Sequence, residues 1–141
     1  MEKLRVDNGL KKIEVNDRGD FIEFSVKDNK FIEGFGELVT WMEGVLRNQK
    51  QQTTEETEKT IEMILDDIKG KSEICKEACC RIDKLFGSDT CKKVFGNIEP
   101  DEYVIGEFMD QIVDFMDKFQ KERQESIGSK YSNERKGANS I

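Results

Sequence analysis

Apolar and polar residues alternate near the start of the chain, first at Ile13 and Val15 and then at Ile22, Phe24 and Val26. A period of two puts each set on one side of a strand, and the two sets predict a β-hairpin over residues 10–26. Asn16-Asp17-Arg18-Gly19-Asp20 supplies the turn, with Gly19 as the residue able to take positive φ without strain. A lone hairpin is marginal in water, so its apolar side needs a helix, a third strand or another subunit against it.

After Val26 the period changes. Phe31, Phe35, Leu38, Val39, Met42 and Leu46 recur at three- and four-residue steps and predict a helix over about 29–47, capped by Asp28 or Asn29. Gly34, Gly36 and Gly44 weaken it by roughly 1 kcal/mol each relative to alanine, so tertiary packing must hold it. Thr53 and Glu56 form a capping box for a second helix over about 54–86. Its stripe is Ile61, Ile64, Leu65, Ile68, Cys75, Cys79, Ile82 and Phe86, and Gly70-Lys71-Ser72 is a candidate kink. Gly87 ends that helix, Ser88 or Asp89 caps a short one over 89–95, and Gly96 closes it. Pro100, Asp101 and Glu102 open a last helix over about 100–125, with Val104, Ile105, Phe108, Met109, Ile112, Phe115, Met116 and Phe119 as its inner side. The expected fold is therefore mainly α with a short N-terminal β-hairpin, an α+β chain with a bundle of three to five helices. Residues 1–126 form a single domain in this reading, and 127–141 a flexible tail rich in Gly, Ser, Asn and charge.

Composition narrows the function classes. At 141 residues, one domain with a modest core is expected, since 38% of the chain is charged and 35% hydrophobic. The net charge of −7 comes from interleaved acids and bases, which leaves no basic surface for nucleic acid. No apolar run is long enough for a bilayer, and Met1–Leu10 lacks the apolar core of a secretory signal, so the expected location is the cytoplasm.

The chain has no histidine, which removes the commonest general acid-base group near neutral pH and the Ser-His and Cys-His pairs built on it. Acid pairs such as Asp66-Asp67 and Asp101-Glu102 suit solvated faces and capping charges better than catalysis. Cys75, Cys79, Cys80 and Cys91 could be drawn as four thiolates around zinc, but structural zinc sites favour Cys-x-x-Cys knuckles on turns. In a reducing compartment the four read as packed thiols. Gly34-Phe35-Gly36 is not a phosphate loop. The expectation is a protein without a catalytic site, metal or cofactor, acting by binding other proteins.

The segment Ile82-Asp83-Lys84-Leu85-Phe86-Gly87-Ser88-Asp89-Thr90-Cys91-Lys92-Lys93-Val94-Phe95-Gly96-Asn97 resembles a corner found in small tail assembly chaperones of tailed phages and prophages, of the Firmicutes siphophage type. The resemblance lies in Phe-Gly, three residues, Cys, two residues and Val-Phe-Gly. Ile22-Glu23-Phe24 in the hairpin, Phe31-Ile32-Glu33 opening the first helix and Lys130-Tyr131 in the tail follow the same order. The last helix departs from that pattern in its acidic, Phe- and Met-rich character, and the glycine-rich first helix departs as well. The resemblance implies a protein that keeps the tape measure protein soluble while tail tube subunits polymerise around it. It also implies a bacterial host cytoplasm as the workplace, absence from the mature virion, and the tail tube protein as a second partner. The other reading is a small acidic phage or bacterial protein that binds and inhibits a host protein through charge.

Surplus large apolar residues on the hairpin and helices nominate Phe24, Phe31, Phe35, Trp41, Phe108, Phe115 and Phe119 for protein binding, either to a client or in a homo-oligomer. For the tail, removal of residues 127–141 is expected to leave the melting temperature nearly unchanged in a thermal unfolding scan. A segment with no apolar period has nothing to offset the entropy of ordering it.

Overall fold

Ile22 and Phe24 lie two apart on one strand and are both buried, as a period of two requires, and Val26, in the turn that follows, is buried as well. In the computed structural model, which describes residues 1–52 and 60–138, β1 (Lys11–Glu14) and β2 (Phe21–Phe24) pair antiparallel with Ile13 opposite Ile22. Gly19 has φ +86°, the left-handed conformation expected of the turn. Asn16 organises that turn, its side-chain oxygen accepting from the Arg18 amide at 2.9 Å and its side-chain nitrogen donating to Asp20 at 2.7 Å. Beyond β2, the buried Ser25 hydroxyl donates to the Asn8 carbonyl and accepts from the Lys27 amide, which fastens the leading segment to the hairpin.

Four helices follow: α1 (Asn29–Gln52), α2 (Ile61–Phe86), α3 (Thr90–Phe95) and α4 (Glu102–Ala138). These helices make up most of the described residues, so the mainly helical α+β class holds. The Asp28 carboxylate caps α1 by accepting from the Lys30 amide at 3.0 Å. Thr60 caps α2, accepting from the Met63 amide at 3.3 Å, whereas the capping box at Thr53 and Glu56 lies outside the described residues. Helix α2 is continuous through Gly70-Lys71-Ser72, the candidate kink. Asp101 caps α4 through the Val104 amide at 2.9 Å, so Pro100 sits just ahead of the cap instead of inside the first turn.

The chain divides into two compact units, Met1–Glu107 and a second that begins at Phe108 within α4. The core of the first is an aromatic cluster. Phe24 from β2 stacks on Phe31 of α1 at 4.9 Å between ring centroids, and Phe31 lies 6.0 Å from Phe35. Phe86, at the end of α2, meets all three edge-on at 5.4–6.5 Å. Gly34 lets α1 approach α2 here, since a Cβ on it would lie 2.7 Å from Leu85 Cδ1. The glycine that lowers helix propensity thus marks a close helix contact.

Two expectations need correction. The apolar period of α2 predicts burial along its whole length, yet Ile61 is 77% exposed and Leu65 and Ile68 are each 58% exposed. Only its second half has packed neighbours, with Cys75, Ala78 and Ile82 buried. The helical backbone of α4 also carries on through Ala138, past the end near 125 read from periodicity. Side chains 121–128 are exposed, and a solvated helix built of charged residues needs no apolar stripe when pairs such as Lys121 with Asp117, at 3.0 Å, lie one turn apart. In the second unit Phe108, Met109 and Ile112 are buried, and Phe115 stacks on Phe119 at 5.9 Å.

Burial separates two kinds of variant. Phe31→Ala and Phe35→Ser should each lower unfolding free energy by about 3–5 kcal/mol, since both open the aromatic core. Leu65→Ser should change it by less than about 0.5 kcal/mol. Urea titration followed by circular dichroism measures all three.

Candidate functional site

The Phe-Gly corner is built by backbone conformations that few residues tolerate. Gly87 ends α2 at φ 122°, Gly96 ends α3 at φ 75°, and between them Asp89 stands in the left-handed region at φ 63°. Asp89 holds the cap position of α3 but makes no side-chain capping bond. The Asp83 carboxylate, one turn before the end of α2, takes that role by accepting from the Cys91 amide at 2.9 Å. The Thr90 hydroxyl donates to the Gly87 carbonyl at 2.6 Å, which satisfies a buried polar side chain. Asn16 reaches across from the hairpin turn to donate to the Lys93 carbonyl at 3.0 Å, so the corner and the turn brace each other.

Between the corner and α2 lies a mainly apolar groove of about 490 Å³. Ile68, Cys75, Cys79 and Cys91 line it from α2 and α3, Ile98 and Pro100 from the connection to α4, and Tyr103 from the first turn of α4. Lys71, Lys76 and Lys92 stand along α2 and α3, while Glu99 and Asp101 stand along the connection and Glu102 opens α4. Lys71 and Glu102 pair at 3.7 Å. Ile98 and Tyr103 are 60% and 79% exposed, so the apolar lining continues onto open surface. Such a groove, with bases along one wall and acids along the other, suits an amphipathic helix better than a small polar substrate.

The thiols along the groove are weakly suited to chemistry. All four cysteines are free. Cys91 Sγ donates to the Cys79 carbonyl at 3.6 Å. A hydrogen bond from Cys91 lowers the Cys79 thiol, and the same bond, with burial and the Asp83 carboxylate, drives Cys91 far upward, so Cys79 is the sulfur of the pair that ionises first. Burial pushes Cys75 up, and Glu102 adds to the effect. The charges acting on the three are carboxylates and a neighbouring thiolate, the reverse of the electropositive setting that activates a nucleophilic cysteine. Among the described residues no group of three His, Cys, Asp or Glu side chains could hold a metal ion. No helix among them is long and apolar enough to cross a membrane.

The residues nominated from sequence are scattered by the fold. Phe24, Phe31 and Phe35 lie in the aromatic core of the first unit and present no surface. Trp41 is half-buried beneath the Arg81 guanidinium, 4.2 Å from the ring centroid. Phe108, Phe115 and Phe119 belong to the second unit, Phe108 buried and the others half-buried. None of the seven lines the groove. Ile98 and Tyr103, which do, fall outside the periodic stripes: Ile98 stands between polar residues ahead of the last helix, and Tyr103 precedes the inner side that begins at Val104.

Thiol accessibility checks the groove floor. With Ellman's reagent on the folded protein, Cys80, which is exposed, should react first and Cys79 next. Cys75 and Cys91 should lag by about tenfold or more until denaturant is added, because both are buried and held protonated. Peptide mass mapping of the time course assigns the order.

Residues 18–140 match a protein family described as a family of unknown function, DUF6673. No curated protein and no solved structure matches the chain. The match begins in the hairpin turn and takes in all four helices, and the protein therefore belongs to the DUF6673 family.

Proposed function

We propose that this protein is a non-catalytic assembly chaperone that holds a long helical client, the tape measure protein of a phage or prophage tail, in solution while the tail tube forms. The apolar groove between α2 and the Phe-Gly corner carries this reading. It offers an open apolar lining, with Ile98 and Tyr103 at its lip and opposite charges on its two walls. A client helix with a hydrophobic stripe between acidic and basic edges would be held along it. The resemblance in sequence centres on the same corner, where Cys91 enters the groove and Phe86 enters the core. A transient chaperone must also let its client go, and a shallow surface groove permits release more readily than a deep pocket. The bacterial cytoplasm, absence from the finished virion and contact with the tail tube protein belong to the same proposal.

Co-expression with the long helical protein encoded beside it tests the reading. The wild-type chain should keep that client soluble and co-purify with it. Ile98→Glu and Tyr103→Asp should each weaken the complex by about tenfold, or about 1.4 kcal/mol, while leaving the melting temperature unchanged. A genome with no tail tube gene and no long helical gene nearby would sink the idea. Salt-sensitive capture of one basic host enzyme, with no tail protein, would sink it in favour of the inhibitor reading.

A further inference from the structure

The first half of α2 presents a surface that the groove does not use. Ile61, Ile64, Leu65 and Ile68 follow one another at three-, one- and three-residue steps and form one helix face. All four are exposed, the least exposed at 44%. Large aliphatic side chains concentrated on one helix face mark a binding surface, because scattered exposure is ordinary and a stripe is not.

We propose that this stripe is covered by the same stripe of a second copy of the chain, the two α2 helices running antiparallel about a two-fold axis near Ile64 and Leu65. Charge along the helix favours that occupant. Glu62 and Lys69 lie seven residues apart on one edge of the stripe, the acid toward its start and the base toward its end. An antiparallel two-fold brings like edges together and reverses their order, so Ile61 of one copy faces Ile68 of the other and Glu62 stands beside the second copy's Lys69. The pair occurs twice in each dimer. Bulk also favours this direction. The second half of α2 carries α1, β2 and α3, and an antiparallel pair sets these loads at opposite ends instead of side by side. The surface meets the client groove only at Ile68, whereas Glu62, Ile64 and Lys69 do not line the groove, so substitutions at these three test the dimer apart from client binding.

Sedimentation velocity across a concentration series, on the full chain, tests the proposal. The wild type should pass from monomer to dimer, and Ile64→Glu should remain monomeric with the melting temperature that the wild type shows at concentrations where it too is monomeric. Glu62→Lys and Lys69→Glu, made singly, should each raise the dissociation constant by about tenfold, because two attractions become two repulsions. The double variant E62K/K69E should restore dimerisation. That rescue cannot arise within one helix, where seven residues span about 10 Å. A wild type that stays monomeric up to several hundred micromolar overturns the proposal. So does a double variant no better than the single ones, or a dimer indifferent to Ile64→Glu. Loss of client binding with the dimer intact would concern the groove alone.

Discussion

Contact among four phenylalanines from three elements is the constraint on which the first unit depends. Phe24, Phe31, Phe35 and Phe86 are separated in sequence by up to sixty-two positions, yet their rings lie within 6.5 Å of a neighbour. A two-stranded hairpin is not stable alone, and α1 contains glycines that disfavour helix. Each element becomes stable by burying rings against the others, and aromatic pairs in stacked and edge-on geometry add about 0.5–1.5 kcal/mol apiece beyond burial. Phe86 matters most for position, because it sits immediately before Gly87. By anchoring the end of α2 it sets where the corner begins.

From that anchor the candidate site follows. Gly87, Asp89 and Gly96 turn the chain through left-handed or otherwise unusual conformations, and Asp83 and Asn16 satisfy the backbone groups that the turn exposes. The result brings the connection after α3 and the first turn of α4 alongside the middle of α2 and leaves the groove between them. The side chains that stabilise the corner are short and polar, whereas the groove is lined by apolar side chains and thiols with lysines and carboxylates among them.

Helix α2 divides its labour along its length. Its second half is structural, closing on Ile82, which is fully buried, and its first half is open. One stripe of uniform character thereby serves two purposes, and the boundary near Ser72 and Cys75 is where packed neighbours begin. Single exposed aliphatic side chains are ordinary, and it is their concentration on one helix face that sets the first half of α2 apart.

Periodicity alone determined the hairpin and its turn at Gly19, the existence and order of the four helices, and the stops at Gly87 and Gly96. These depend on local backbone sterics and on which side of an element is apolar. Tertiary structure decided which apolar residues are core and which are surface. Phe31 and Phe35 carry the same helical period as Ile61, Ile64 and Leu65, but the first pair meets Phe86 and is buried, whereas the second set is exposed. Likewise Asn16 reads in sequence as a turn residue, and only the fold brings the Lys93 carbonyl within its reach. A hydrophobic period records that a side of a helix avoids water; what covers that side depends on residues distant in the chain, which local patterning does not encode.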